Sequence, residues 1–193
     1  MNLPNKLTVI RMFLIPVFMV FMSFNFHWGQ VRFLGTSISW EILIAAVIFV
    51  FASLTDYADG QIARKRHLVT NFGKFMDPLA DKMLVLTAFT FLVARQQAPA
   101  WVVAIIVCRE LLITTLRLLI IEQGGSVMAA QMPGKIKTTT QMLAIVFLLL
   151  NDPIFSYWHI PFGMIMLYVC LLFTVYSACD YLWQNRQYYS DFK

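Results

Sequence analysis

Long apolar runs separated by short polar breaks fill this chain from end to end. A membrane-spanning helix needs about 20 consecutive, mostly apolar residues. Six runs meet that need, over 7–26, 38–60, 76–95, 100–121, 136–151 and 161–183. The connections at 27–37, 96–99 and 152–160 are short or edged by apolar residues, whereas those at 61–75 and 122–135 are longer and polar. The pattern predicts an all-α integral membrane protein of six transmembrane helices, forming one domain over residues 1–193. Ahead of the first run, Met1-Asn2-Leu3-Pro4-Asn5-Lys6-Leu7-Thr8 interleaves apolar and polar residues. It predicts a short interfacial segment, with Asn5 or Thr8 suited to capping a helix.

Composition sharpens this picture. Hydrophobic residues make up 60% and charged residues 13%, against about a quarter charged in soluble domains. A soluble enzyme with an apolar core is thereby excluded. The first apolar run follows Lys6 and Arg11, as a secretory signal would, but no small-x-small cleavage site follows it, so a retained helix is expected. Cys108, Cys170 and Cys179 all fall inside apolar runs, where small core residues are expected rather than disulfides or a zinc site.

Charge sets the orientation. With six spans, both termini share a side with 61–75 and 122–135. That side carries Lys6, Arg64, Lys65, Arg66, Lys74, Lys135, Lys137, Arg186 and Lys193, against Arg32 and Arg95 on the other. Basic residues favour the cytoplasmic side, so both termini are expected in the cytoplasm. Trp28, Trp40, Trp101 and Trp158 fall at the opposite interface, as aromatic belt residues do.

The candidate chemistry lies at the cytoplasmic ends of the second and third runs. Asp56, Asp59, Gly60, Ala63 and Arg64 are followed by Gly73, Asp77 and Asp81, a pattern D-x2-D-G-x2-A-R-x8-G-x3-D-x3-D. Asp56 and Asp59 are spaced i, i+3, and Asp77 and Asp81 i, i+4, so each pair shares a helix face. An antiparallel helix pair would gather all four at one depth, where carboxylates repel one another and are costly in lipid. Hard divalent cations such as Mg²⁺ or Mn²⁺ resolve the conflict with oxygen ligands. The alternative is a set of helix-terminal acids, such as Asp77 near a helix N-terminus, where an acid is favourable without metal; it serves for any one of the four but poorly for all four together with the small residues between them. An EF-hand is excluded because the acids are split over two helices. Gly60, Ala63 and Gly73 leave room for close approach, and Arg64 suits a phosphate. Two metals with an arginine describe a diphosphate site.

This motif resembles that of the CDP-alcohol phosphatidyltransferase family at Asp56, Asp59, Gly60, Ala63, Arg64, Gly73, Asp77 and Asp81, and the resemblance covers nearly the whole chain. It implies a small six-helix membrane enzyme, working as a homodimer, that displaces CMP from a CDP-linked lipid with an alcohol and requires Mg²⁺ or Mn²⁺. It also implies that Asp56, Asp59 and Asp77 hold metal. Asp81 would complete the second metal site and act as general base. Gly60, Ala63, Arg64 and Gly73, with Asp59, would line the CDP pocket, joined by the segment carrying Asn5, Thr8 and Arg11.

A second cluster bears on the acceptor. Arg109 and Arg117, with Glu110 and Thr114 between them, precede Lys135 and Lys137. One reading is a phosphate pocket in which paired arginine donors and a lysine meet an anion. The other is an Arg109–Glu110 ion-pair network, with the lysines facing anionic headgroups. Arg-Glu-x3-Thr-x2-Arg with Gly-Lys-x-Lys-Thr-x2-Gln resembles the branch of the family that makes phosphatidylglycerophosphate. That resemblance implies CDP-diacylglycerol and glycerol 3-phosphate as substrates at a bacterial inner membrane, with no nucleic-acid partner. Inositol phosphate, serine or phosphatidylglycerol as acceptor, and a divalent-cation transporter or a non-catalytic membrane subunit, are the competing readings. Lys82 is expected to snorkel toward the interface, and His27 and His159 suggest no site.

Overall fold

The computed structural model describes the backbone of residues 3–33, 36–66, 71–122, 132–155, 158, 160–184 and 186. It describes side chains over the same positions except 3–7, 33, 56–66, 71–78, 121–122, 132–133 and 135. Each apolar run forms a helix: α1 Leu3–Ser23, α2 Trp40–Arg66, α3 Asn71–Ala94, α4 Ala100–Glu122, α5 Met132–Leu149 and α6 Phe162–Gln184. Between α1 and α2 the chain makes an antiparallel hairpin that the apolar pattern did not reveal, β1 Gln30–Phe33 paired with β2 Thr36–Ser39.

Three sequence-based expectations change. The N-terminal segment is helical and continuous with the first apolar run, as α1 runs unbroken from Leu3. Neither Asn5 nor Thr8 is therefore a cap. The polar stretch 61–75 is mostly helix, leaving only positions 67–70 between α2 and α3. Polarity there marks a change of surroundings, whereas a helical backbone keeps its own hydrogen bonds paired at a membrane boundary. Asp77 consequently lies beyond the first turn of α3, past the reach of a helix N-terminus.

Side-chain contacts fix the helix directions. Trp101 packs on Tyr168 with ring centroids 6.3 Å apart, Arg109 reaches Ser177 at 2.6 Å, and the Arg117 guanidinium lies 5.5 Å from the Tyr181 ring. The partners on α4 and α6 advance together, so these helices are parallel. The α3–α4 connection is a tight turn, with Gln97 N donating to the Leu92 carbonyl at 2.9 Å, and Lys82 of α3 meets Thr114 of α4. That pair is antiparallel. The start of α5 meets α4 through Lys137 and Glu110, and its end meets the start of α6 through Phe147 and Phe162, centroids 4.7 Å apart. Lys82, Glu110, Thr114, Lys137 and Tyr181 thus lie at one end of the bundle. Trp28, Trp40, Trp101 and Trp158 fall toward the other.

The interior mixes small and large apolar groups. Ala45, Ala46, Ala52, Ala88 and Ala144 are buried and let backbones approach, while Phe18, Phe49, Phe89 and Leu92 fill the spaces between. Large apolar side chains also face outward: Phe13 is 72% exposed and Leu172 70%, while Arg11 is 0% and Lys137 5% exposed. Cations inside and phenylalanine outside suit a bundle surrounded by lipid. Among the described residues α6 is long and apolar enough to cross a membrane. In α4 the apolar run is interrupted by Arg109, Glu110 and Arg117.

Gly163 sets the closest approach between α5 and α6. A Cβ there would meet the Leu148 backbone N and side chain at 3.0 Å. Gly163→Val is expected to lower stability by about 1–3 kcal/mol, the usual cost of overpacking. Thermal unfolding in detergent measures this, and an unchanged midpoint would contradict it.

Candidate active site

The motif aspartates sit on two uninterrupted helices. Asp56, Asp59, Gly60, Ala63 and Arg64 occupy the last turns of α2, and Gly73, Asp77 and Asp81 the first half of α3. Because neither helix breaks across these positions, the spacings within each pair are helical and each pair shares one face. These are all carboxylates, the donor type that hard divalent ions take, so the set fits Mg²⁺ or Mn²⁺. The side chains of Asn5, Asp56, Asp59, Gly60, Ala63, Arg64, Gly73, Asp77 and Lys135 lie outside the described residues. Among the described residues no three His, Cys, Asp or Glu side chains gather.

Asp81 is the motif carboxylate whose surroundings are described. It is half-buried and borders a cavity of about 60 Å³ between α3, α4 and α5. Lys82, Glu110, Lys137, Thr138 and Gln141 share its polar side, and Val85, Phe89, Ile106 and Met142 line the apolar remainder. One cavity thus joins the aspartate motif to the basic cluster, which lies far off in sequence.

The basic cluster is an ordered network. Glu110 Oε1 accepts from Arg109 Nη1 at 3.2 Å and from the Lys137 ammonium. Arg109 Nη2 donates to Ser177 Oγ at 2.6 Å. The Lys82 ammonium donates to Thr114 Oγ1, which itself donates to the Glu110 carbonyl at 2.7 Å. Arg117 rests against Tyr181, and its Nε is buried with no hydrogen-bond acceptor among the described residues, as is Arg109 Nε. A buried donor left unmade costs about 1–3 kcal/mol, so both arginines retain donor capacity suited to an anion.

The ion-pair reading of this cluster holds in part. The Arg109–Glu110 pair is present, yet Lys137 is enclosed in the bundle instead of facing headgroups. The expectation that Lys82 snorkels is overturned: it is half-buried and turned to a hydroxyl on the neighbouring helix. Thr8 and Arg11 are both fully buried at the same end of α1. Sequence reasoning missed Ser177 and Tyr181 of α6, since a serine and a tyrosine in an apolar run carry no motif. Gln141, one helical turn after Lys137, was legible as the last residue of the Gly-Lys-x-Lys-Thr-x2-Gln stretch.

Comparison with known proteins shows the family. The chain belongs to the CDP-alcohol phosphatidyltransferase family, whose model matches residues 1–176. It is 47% identical over 184 residues to the CDP-diacylglycerol–glycerol-3-phosphate 3-phosphatidyltransferase of Bacillus subtilis (strain 168), covering 95% of each chain. Its identity to the protein of the same name from Pseudomonas fluorescens is 34% over 187 residues, covering 94% of this chain and 89% of the relative. For the Salmonella typhi protein of that name the identity is 36% over 185 residues, covering 94% and 93%.

Proposed function

We propose that this transferase moves the phosphatidyl group of CDP-diacylglycerol onto a hydroxyl of glycerol 3-phosphate, giving phosphatidylglycerophosphate and CMP. The relatives' names support the reaction. The observation that carries it to particular residues is the shared cavity, which sets the Asp81 carboxylate beside Lys82, Glu110 and Lys137. An acceptor lying there would present its hydroxyl to a base and its phosphate to cations.

Asp56, Asp59, Asp77 and Asp81 would hold Mg²⁺ or Mn²⁺, in a pair, and Gly60, Ala63, Arg64 and Gly73 would line the CDP pocket with Asp59, Asn5 and Thr8. Bound metal would supply charge neutralisation at the diphosphate. Arg109, Arg117, Lys135 and Lys137 would hold the acceptor phosphate through charge-assisted bonds. Asp81 would take the proton of the acceptor hydroxyl as its oxygen attacks the phosphatidyl phosphorus. The new P–O bond forms as the bond to CMP breaks, so CMP leaves with the electron pair.

The site's end of the bundle carries the basic connections, which supports placing it, with both termini, on the cytoplasmic side of a bacterial inner membrane. There, soluble acceptor and lipid headgroup are both within reach. A homodimer is expected, as twofold assemblies are the commonest. Full-length protein in liposomes containing CDP-diacylglycerol and Mg²⁺ or Mn²⁺ should release CMP with glycerol 3-phosphate, and far less with serine, inositol phosphate or phosphatidylglycerol. Equal release with serine would overturn the phosphate-pocket reading. Metal flux without CMP release would point to a transporter.

A further inference from the structure

We propose that Glu110 is a positioning residue of the acceptor pocket, setting affinity for the acceptor's phosphate through Lys137 and Arg109. This rests on the reading of the basic cluster as a phosphate pocket. Apart from Asp81, Glu110 is the carboxylate among the described residues lining the cavity. One of its oxygens accepts from both cations, Arg109 on its own helix and Lys137 on α5. Its backbone carbonyl accepts from Thr114, which in turn receives Lys82 from α3. Cations from three helices are thus tied to a single turn of α4.

The chemistry gives this hub a defined effect. A lysine ammonium is a point charge with three donors on a flexible stem, and its direction is set by what it is bonded to. Glu110 takes one of those donors on Lys137 and leaves the others for a ligand. On Arg109, Glu110 takes Nη1 and Ser177 takes Nη2, which fixes the guanidinium plane and leaves the buried Nε as donor. Without the carboxylate, Arg109 and Lys137 would face each other as like charges in a poorly solvated site. Their repulsion would turn Lys137 away from the ligand position. Affinity for the phosphate falls, while the nucleotide half of the site, on α2 and the start of α3, is untouched.

Steady-state kinetics in liposomes test this, with each substrate varied at saturation of the other. Glu110→Ala and the near-isosteric Glu110→Gln should raise KM for glycerol 3-phosphate by about tenfold, the scale of one charged hydrogen bond. The kcat and the KM for CDP-diacylglycerol should change little. Inhibition by inorganic phosphate should weaken in parallel, and Glu110→Asp should recover part of the affinity. Adding Glu110→Ala to Lys137→Ala should cost little beyond the single change, because both act through one contact. An unchanged KM for glycerol 3-phosphate in Glu110→Gln, with Lys137→Ala impaired, would overturn the role of Glu110 alone. Normal KM in Lys137→Ala would overturn the phosphate pocket itself. Loss of kcat, of both affinities and of thermal stability together in Glu110→Gln would make Glu110 a structural residue only.

Discussion

Asp81→Asn is expected to lower CMP release by about 10³-fold, within the range a positioned general base supplies. Asparagine matches aspartate in shape but cannot accept the acceptor's proton. Asp81 is half-buried at the cavity edge, and Ala80 and Leu84 of the same helix are fully buried, so the helix should hold its place. Expression and thermal unfolding should stay close to those of the parent protein, and binding of glycerol 3-phosphate should survive. The decisive measurement is single-turnover CMP release at saturating substrates. Retention of a tenth or more of the parent rate would remove Asp81 from the base role and leave it at most a metal ligand.

Lys137→Ala is expected to raise KM for glycerol 3-phosphate by about 10–100-fold, the equivalent of 1.5–3 kcal/mol for a charged hydrogen bond. Lys137 is 5% exposed and bonded to Glu110, so its ammonium is held inside the bundle. There an ion pair or bound anion is screened less than at the surface. Removing the ammonium leaves Glu110 with Arg109 as its remaining cation partner among the described residues. A drop in stability is therefore also expected, readable as a lower unfolding midpoint in detergent. Saturating acceptor should restore kcat. If it does not, Lys137 acts on the reaction step and not on acceptor binding.

Much of this arrangement was legible in one dimension. The six helices follow the apolar runs because a helix pairs its own N–H and C=O groups within a single run of chain, without a partner segment. The aspartate motif was readable because helical spacing converts i, i+3 and i, i+4 into shared faces without reference to any other element. The hairpin at 30–39 was not readable. Strand pairing depends on a partner segment, and Gln-Val-Arg-Phe and Thr-Ser-Ile-Ser are short and mixed in character. Lys82 was misread for a related reason. Beside an aspartate at a helix end, a lysine has water and headgroups as its default partners, and only packing of α4 against α3 supplies Thr114.

The sequence by itself determined the six helices, the family and the eight motif positions, because each depends on residues near one another along the chain or on fixed spacing. The tertiary structure decided what surrounds Asp81. The parallel run of α4 and α6, with α3 and α5 antiparallel to α4, carries Glu110, Lys137, Ser177 and Tyr181 to the same end of the bundle. Residues separated by dozens of positions become neighbours only through helix packing. Whether a buried charge is costly or useful depends on the partner that packing supplies. For Arg109 that partner, Glu110, was already legible beside it in the sequence, whereas the pairing of Glu110 with Lys137 exists only because α4 and α5 pack together.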